Sequence, residues 1–430
     1  MADTLRRIIA ANRAGQAVAI PSVCSAHPVV LLACLRLAAA LNRPIVIEAT
    51  SNQVNQEGGY TGLRPTDFVA LVRRLAQAAH CPDAHVIFGG DHLGPQVWRK
   101  GDADTAMAKA RVMVAGYVQA GFTKIHLDCS EGCAGEAAQV GDAIAATRAA
   151  DLAMTCLTAA PDPAALLFVI GTEVPPPGGA RADDHTSIAP TSPAAAMATM
   201  AAHQAAFRAA GIGHAVAQIG GLVVQPGVEF SPTTVHHLPL ANDPGFAPVL
   251  AAWPGLCLEA HSTDYQHPVA FHRLATLGFA FQKVGPALTH AYRRAVYALE
   301  SLRRMAHPIS PPVWDVMEML MLQNPVFWQA YYHGPDESLH MHRHFALADR
   351  IRYYWPHPQA QAAVAALLDD LQRHALPDMA LAQAFSPALI THAHALGGPM
   401  PMALIQAEIQ AALRPYFIDS PAPNGEEPAA

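Results

Sequence analysis

The sequence predicts an α/β protein with a (β/α)8 barrel followed by a helical appendage. Eight short apolar runs alternate with helical segments over about 300 of the 430 residues, which is the usual length of such a barrel. Titratable residues stand directly after most of these runs, as expected where the chemistry lies at the carboxyl ends of barrel strands. Beyond residue 300 the strand-like runs stop and only helical patterns remain.

The eight predicted strands cover residues 17–21, 44–48, 84–88, 124–127, 166–170, 215–224, 256–259 and 280–284. The segments between them carry apolar residues at helical spacing; residues 67–75, opened by the capping signal of Thr66, are an example. A doubly wound sheet is the alternative, but it requires a glycine-rich turn after the first strand. The stretch AIPSVCSAHP at that place contains no glycine, which favours the barrel.

The pattern divides the chain into three parts. We predict a barrel at 1–300, a helical appendage at 301–418 and a disordered tail at 419–430, which is polar and rich in proline.

The composition excludes several classes of function. Hydrophobic residues make up 52% and charged residues 14%, which is typical of a compact globular protein, and the net charge of −7 offers no basic face for nucleic acid or anionic membranes. No apolar run reaches the roughly 18 residues that span a bilayer, and the first residues do not have the pattern of a secretory signal, so we expect a cytoplasmic protein. The seven scattered cysteines indicate reduced thiols rather than a disulfide framework.

Three residues at strand ends predict a metal site. His92, Glu173 and His261 follow the third, fifth and seventh strands, so they can converge above the barrel. Two imidazoles and one carboxylate suit a catalytic zinc or another divalent metal. A core or surface role would be the better interpretation of either histidine taken alone, but their joint placement after strands favours the metal site.

The stretch GGDHLGP raises a second expectation. Asp91 stands beside His92, where it could move a proton on a substrate bound to the metal; the alternative is an aspartate that caps a loop. Gly89, Gly90 and Gly94 are expected to let the substrate approach the backbone.

Other charged residues have two possible roles each. Glu48 and Glu131 are candidates for a second base or for groups that orient the ligands. Lys283 could bind a substrate phosphate or pair with a neighbouring acid. Arg350 and Arg352 are expected to form a salt-bridged packing motif between the appendage and the barrel. Because they are two residues apart, they would not share a face of a helix, and only one of them would point inward.

Several long motifs resemble one family. These are PIVIEATSNQVNQEGGYTG, GGDHLGP, HLDCSEGC, LVVQPGVEF, EAHSTDYQ, KVGPALTHAYRRA and DRIRYYW, and they run through essentially the whole chain. They resemble the non-catalytic or Z subunit of tagatose-1,6-bisphosphate aldolase. Two positions depart from the family pattern: Glu57 replaces an aromatic residue, and Ala348 replaces a serine.

That family is in turn similar to the class II, zinc-dependent ketose-bisphosphate aldolases. Their third strand ends in an Asp-His pair, the aspartate carrying a proton and the histidine binding zinc, which the resemblance assigns to Asp91 and His92. Glu173 in GTEV takes the place of a zinc-binding histidine in their GTAHG motif. His261 in AHST matches the histidine of their HGAS motif.

The resemblance also implies a phosphate site. The phosphate-binding loops of the aldolases correspond to the segment with Ser262 and Asp264 and to the KVGPALT turn with Lys283 and Gly285. The aldolases carry an asparagine just after the eighth strand, which is replaced around Gly285 in this sequence. This replacement argues against simple aldolase activity.

The resemblance implies a metal-dependent 4-epimerase that converts tagatose 6-phosphate to fructose 6-phosphate by a retro-aldol route. The alternative is a non-catalytic subunit that stabilises an aldolase catalytic subunit. A kinase is disfavoured because the sequence has no GxxxxGK[ST] loop, and a hydride shift through nicotinamide is disfavoured because no GxGxxG follows a strand. The expected partners are a sugar or sugar phosphate, such an aldolase subunit, and further copies of the chain in a homo-oligomer.

Overall fold

A computed structural model describes residues 2–171, 188–306 and 312–418. It contains a closed barrel of eight parallel strands, in which each strand lies beside the next in sequence and the last lies beside the first. The predicted barrel is therefore confirmed. The strands are β1 Ile20–Cys24, β2 Ile45–Thr50, β3 Val86–Leu93, β4 Lys124–Leu127, β5 Leu167–Ile170, β6 Ile219–Val223, β7 Cys257–Ala260 and β8 Phe279–Val284.

Helices surround the barrel and then continue without strands, as the sequence predicts. A short antiparallel pair, Glu229–Phe230 with Val235–His236, lies between β6 and β7. In the described residues the helices are α1 Ala2–Arg13, α2 Pro28–Leu41, α3 Pro65–Ala78, α4 Ala103–Ala120, α5 Asp142–Ala159, α6 Pro193–Ala209, α7 Ala247–Ala252, α8 Pro268–Thr276, α9 Pro286–Ala306, α10 Val313–Gln323, α11 Asp336–Phe345, α12 Pro358–Arg373, α13 Asp378–Leu381, α14 Pro387–Leu396 and α15 Met400–Leu413.

The interior of the barrel changes character along its axis. Its amino-terminal end is apolar, where Leu5 and Ile9 of α1 pack against Ile20, Val46 and other strand residues and close the barrel. Further along, the interior holds buried charged side chains. This change places the chemistry at the carboxyl ends of the strands.

The helical region after α9 packs back onto the barrel. Arg36 of α2 donates to Gln406 of α15 at 2.6 Å, and Gln410 of α15 donates to the carbonyl of Ala33 at 3.1 Å. The proposed boundary at residue 300 falls inside α9, and the predicted tail at 419–430 lies outside the described residues. The division into domains stays a prediction.

A 3₁₀ segment, Arg350–Tyr354, reaches from this region to the carboxyl end of the barrel. Asp349, which has a positive φ of 45°, fixes the segment because it accepts hydrogen bonds from Arg293 at 2.7 Å and Thr289 at 2.6 Å, both on α9. Arg352 and Tyr353 thereby become part of the candidate site described below.

Two further sequence predictions can be compared with the fold. All seven cysteines are unpaired, as predicted for reduced thiols. Within the described ranges, no helix combines the length and the apolar character that a membrane crossing needs.

Candidate active site

A buried ion cluster occupies the upper barrel interior. Lys124 of β4 lies between two carboxylates, 2.6 Å from Glu48 Oε1 and 2.5 Å from Glu259 Oε2, and all three side chains are fully buried. Lys283 of β8 contacts Asp91 and lies 3.3 Å from Glu48 and 3.4 Å from Glu259. Burial opposes the ionisation of Glu48, but Lys124 and Lys283 outweigh burial and hold the pKa of this carboxyl well below its usual range.

The strand β3 extends five residues beyond its predicted end and includes Asp91 and His92. Within it, the register with β4 is interrupted between Gly90 and Leu93, and His92 has a positive φ of 48°. Adjacent residues of a regular strand point to opposite faces. The interruption allows Asp91 and His92 to contact the same cluster.

Three imidazole rings lie together at the carboxyl end of the barrel. The ring centroids of His92, His126 and His261 are 5.1 to 5.2 Å apart. His92 Nδ1–H donates to Asp128 at 2.7 Å, and His261 Nε2–H donates to Glu259 at 2.9 Å. Carboxylates in this position orient metal-binding histidines and make them more basic, so the other nitrogen of each ring is available to a metal.

His126 occupies the centre of this arrangement. The amide N–H of His92 points to the Nδ1 of His126 at 3.2 Å, and Asp91 Oδ1 lies 2.9 Å from the same nitrogen. We assign the ring proton to Nδ1, because its hydrogen bond to a carboxylate is stronger than the one that Nδ1 would accept from the amide. Nε2 of His126 is then a buried nitrogen with no hydrogen-bond partner among the described residues. A buried nitrogen with a lone pair and no donor nearby fits a metal ligand.

Two sets of ligand atoms within 4.8 Å of one another share His126. One set is Asp91, His92 and His126, and the other is His126, Glu259 and His261. Burial lowers the pKa of His126 and of His261 to about 4, so both rings are neutral near pH 7.

The charges of the cluster also fit a divalent cation. Two lysines face four carboxylates with at most 5% exposure, which leaves a formal charge of −2: Lys124, Lys283, Glu48, Asp91, Asp128 and Glu259. Uncompensated buried charge is costly, and one divalent cation would balance it.

The structure describes two of the three predicted metal ligands. His92 and His261 are brought together, whereas Glu173 lies outside the described residues. The sequence argument missed His126 because it considered only residues after the strands. The signal was present: Lys124 and His126 alternate along β4, and Asp128, which directly follows the strand, continues the same alternation on one face.

Glu131 and two of the glycines have contacts that the sequence argument did not foresee, and the role proposed for Glu131 stays a prediction. Glu131 pairs with Arg99, and both residues line a cavity next to the one that His92 and His261 line. A Cβ on Gly89 would lie 2.7 Å from the Glu48 side chain, and one on Gly94 would lie 1.7 Å from the carbonyl oxygen of Asp128. Packing against protein atoms, rather than access for the substrate, explains these two glycines.

Asp264 has a structural contact that the phosphate prediction did not foresee. Its Oδ1 accepts from the amides of Gly285 at 3.0 Å and Ala287 at 2.8 Å, at the amino terminus of α9. Burial raises the pKa of Asp264 to about 6, although both amides act against this shift. A carboxylate in this place occupies the donors that a phosphate would use, so Asp264 is a helix cap.

Replacing Asp264 with Ala is expected to lower the free energy of unfolding by about 1 to 2 kcal/mol, because two amides lose their acceptor. Denaturant unfolding measures the change, and Asp264→Asn, which keeps one acceptor oxygen, serves as the control. Unchanged stability with a raised KM for a sugar phosphate would instead restore the phosphate role.

Two cavities meet above the imidazoles. The imidazole cavity, of about 80 Å³, is lined by His92, His261, Asp91, Ser262, Asp264, Lys283, Gly285, Arg352, Tyr353 and eight further residues. The vestibule, of about 580 Å³, contains Arg99, Glu131 and Arg350. Asn52, Tyr60 and Tyr353 line both cavities and form the wall between them. Ser262 and Gly285 thus lie at the site, while Lys283 is held by acids.

Comparisons with known proteins find one matching family model and several similar proteins. A family model described as D-tagatose-1,6-bisphosphate aldolase subunit GatZ/KbaZ-like matches residues 5–420. The chain is 44% identical over 429 residues to a protein of Agrobacterium fabrum named D-tagatose 6-phosphate 4-epimerase, covering 97% of this chain and 98% of that protein. It is 42% identical over 422 residues to a Salmonella enteritidis protein named D-tagatose-1,6-bisphosphate aldolase subunit GatZ, covering 96% and 98%.

A solved structure is also similar. It is described as a probable tagatose 6 phosphate kinase from Sinorhizobium meliloti 1021, with a TM-score of 0.85, 41% identity, and coverage of 93% of this chain and 99% of that chain. The absence of a GxxxxGK[ST] loop from the present sequence argues against transferring the kinase activity.

Proposed function

Because the chain belongs to the GatZ/KbaZ-like family of D-tagatose-1,6-bisphosphate aldolase subunits, we propose that it is a metal-dependent 4-epimerase of a ketohexose 6-phosphate. The reaction interconverts D-tagatose 6-phosphate and D-fructose 6-phosphate. The observation that carries the proposal is the buried cluster of three imidazoles, two of them held by carboxylates and one with a free Nε2.

The substrate limits how C4 can be inverted. In a 2-ketose, C4 is not adjacent to the carbonyl carbon, so simple enolisation cannot remove its hydrogen. Breaking the C3–C4 bond instead forms an aldehyde at C4 and leaves the electron pair on C3, next to the C2 carbonyl. Rotation of the aldehyde and re-formation of the bond give the epimer.

The residues of the cluster have distinct tasks in this proposal. His92, His126 and His261 would hold zinc or another divalent metal, which supplies a Lewis acid for the carbonyl group of the substrate. Asp128 and Glu259 orient two of the rings. Asp91 is the proton carrier for the C4 hydroxyl.

A second candidate function is a stabilising subunit of a D-tagatose-1,6-bisphosphate aldolase. The names of several relatives favour it, and so do exposed apolar side chains in the helical region. Met319 and Leu322 line a shallow surface cavity of α10, and Met341 and Phe345 lie four residues apart on α11. Such a surface suits a protein partner.

The purified protein is expected to convert D-tagatose 6-phosphate to D-fructose 6-phosphate without a partner. The product is followed in a coupled assay after treatment with a chelator and after addition of zinc, manganese, cobalt or magnesium. Free tagatose is tested in parallel, to distinguish a phosphorylated from a free substrate. His261→Ala should abolish turnover, while the exposed His214 provides a matched control, His214→Ala.

The outcome decides between the two functions. Metal-dependent turnover that requires His261 supports the epimerase. No turnover with any metal, together with a longer active lifetime of an aldolase catalytic subunit when the protein is added, would contradict the epimerase and favour the stabilising subunit.

A further inference from the structure

The wall between the imidazole cavity and the vestibule contains an ionisable group without an assigned role. Tyr353 lines both cavities and lies on the 3₁₀ segment Arg350–Tyr354. Asp91, in contrast, lies on a barrel strand and is held there by Lys283 and His126. The small imidazole cavity therefore has one acid–base group on its strand side and another on the side formed by the helical region.

Tyr353 is held firmly. Its ring stacks on Phe327 with a centroid distance of 4.9 Å and an interplanar angle of 7°, and it meets Tyr60 edge-on at 4.6 Å. Arg352 donates to the hydroxyl oxygen at 3.0 Å, and the guanidinium carbons of Arg352 and Arg350 lie 4.5 Å and 5.0 Å from the ring centroid. A hydroxyl that accepts from an arginine can direct its own proton elsewhere.

We propose that Tyr353 is a second catalytic acid–base group of the epimerase, acting on the C4 oxygen from the side of the cavity opposite Asp91. This inference rests on the proposed function. The two epimers carry their C4 hydroxyl groups in opposite directions. A single side chain that removes the proton from one epimer is poorly placed for the other, so two groups on opposite sides match the reaction.

The charges around Tyr353 favour such a role. Burial opposes ionisation, but Arg352 and Arg350 outweigh it and lower the pKa of Tyr353 below its ordinary value. The neighbouring Tyr60 behaves in the opposite way, since burial and Tyr353 raise the pKa of Tyr60 to about 12. The other titratable or charged groups that line the imidazole cavity are Cys24, Tyr60, Asp91, His92, His261, Asp264, Lys283 and Arg352. Those that line the vestibule are Glu57, Tyr60, Arg99, Glu131, Tyr331 and Arg350.

The proton transfers balance. In one direction the carboxylate of Asp91 takes the C4 hydroxyl proton, the C3–C4 bond breaks, and its electron pair stays on C3. After the aldehyde has rotated, C3 attacks the other face of C4, and the new alkoxide receives a proton from the hydroxyl of Tyr353. In the reverse direction the two groups exchange roles, and the proton inventory is restored over successive turnovers by solvent.

The test compares Tyr353→Phe with Tyr354→Phe. The first variant keeps the stacked ring and removes only the hydroxyl. The second removes a hydroxyl from the same segment, one that donates to the carbonyl of Asn324 and lines neither cavity. The measurements are kcat and KM in both directions, the pH dependence of kcat, and the ionisation of tyrosines by near-ultraviolet absorbance.

We expect Tyr353→Phe to lower kcat about 10²- to 10⁴-fold, with KM changed less than about threefold, and to remove the tyrosine that ionises at lowest pH. Tyr354→Phe should retain kcat. Unfolding curves establish that both variants are folded.

Two negative results are distinguishable. If the wild-type protein is active and Tyr353→Phe retains its kcat, this inference is overturned while the epimerase stands. If the wild-type protein shows no turnover with any metal, the proposed function and this inference fail together.

Discussion

Replacing His126 with Ala is expected to reduce metal binding and epimerisation by more than about 100-fold each. Loss of an outer partner of a metal ligand usually costs 10- to 100-fold, and loss of a ligand should exceed that. The expectation is specific because Nε2 of His126 is a buried nitrogen with no hydrogen-bond partner among the described residues, and because His126 belongs to two sets of potential ligands that include the other imidazoles.

Metal content can be measured independently of activity. We would remove metal with a chelator, titrate zinc into wild type and variant, and determine bound zinc by elemental analysis. Asp128→Asn, which leaves all three rings in place, should lose about 10- to 100-fold in affinity. His214→Ala should bind metal normally. Full zinc affinity in His126→Ala would show that His126 is not a ligand.

Replacing Lys124 with Met is expected to lower the free energy of unfolding by about 3 to 5 kcal/mol, the usual cost of breaking a buried ion pair from one side. The variant leaves Glu48 and Glu259 in a fully buried interior with Lys283 as the remaining cation near both, at 3.3 Å and 3.4 Å. Denaturant unfolding of the metal-free protein measures the change without the contribution of a bound cation.

A matched control uses a lysine in an exposed pair. Lys109 lies 2.8 Å from Glu57, and both side chains are roughly half exposed, so Lys109→Met should change the stability by less than about 1 kcal/mol. Adding Glu48→Gln to Lys124→Met should recover part of the loss because it removes one of the unpaired charges. Equal stabilities of Lys124→Met and Lys109→Met would mean that the buried carboxylates take up protons at little cost.

The carboxyl ends of two strands show where the local sequence pattern does not predict the structure. The apolar run at 84–88 predicted that β3 ends before GGDHLGP, but the strand continues to Leu93. Apolar character does not mark this extension, because the upper barrel interior is filled by charged and imidazole groups rather than by aliphatic ones. Similarly, β1 extends to Cys24, whose thiol lies 3.2 Å from Glu48.

The sequence by itself determined the alternation of eight strands with helices, the helical region that follows, the family, and the position of Asp91, His92 and His261 at the carboxyl end of the barrel. These features depend on periodicity, on chain order and on local motifs, all of which a single chain displays directly. Only the tertiary structure decided that His126 joins the two predicted histidines, that Asp264 caps α9, and that Tyr353 reaches the cavity from a segment more than 250 residues away from Asp91. The physical reason is that ligand sets and acid–base pairs depend on distances across the barrel. These distances are fixed by the register of the strands, by the positive-φ residues His92 and Asp349, and by the packing of the helical region on the barrel.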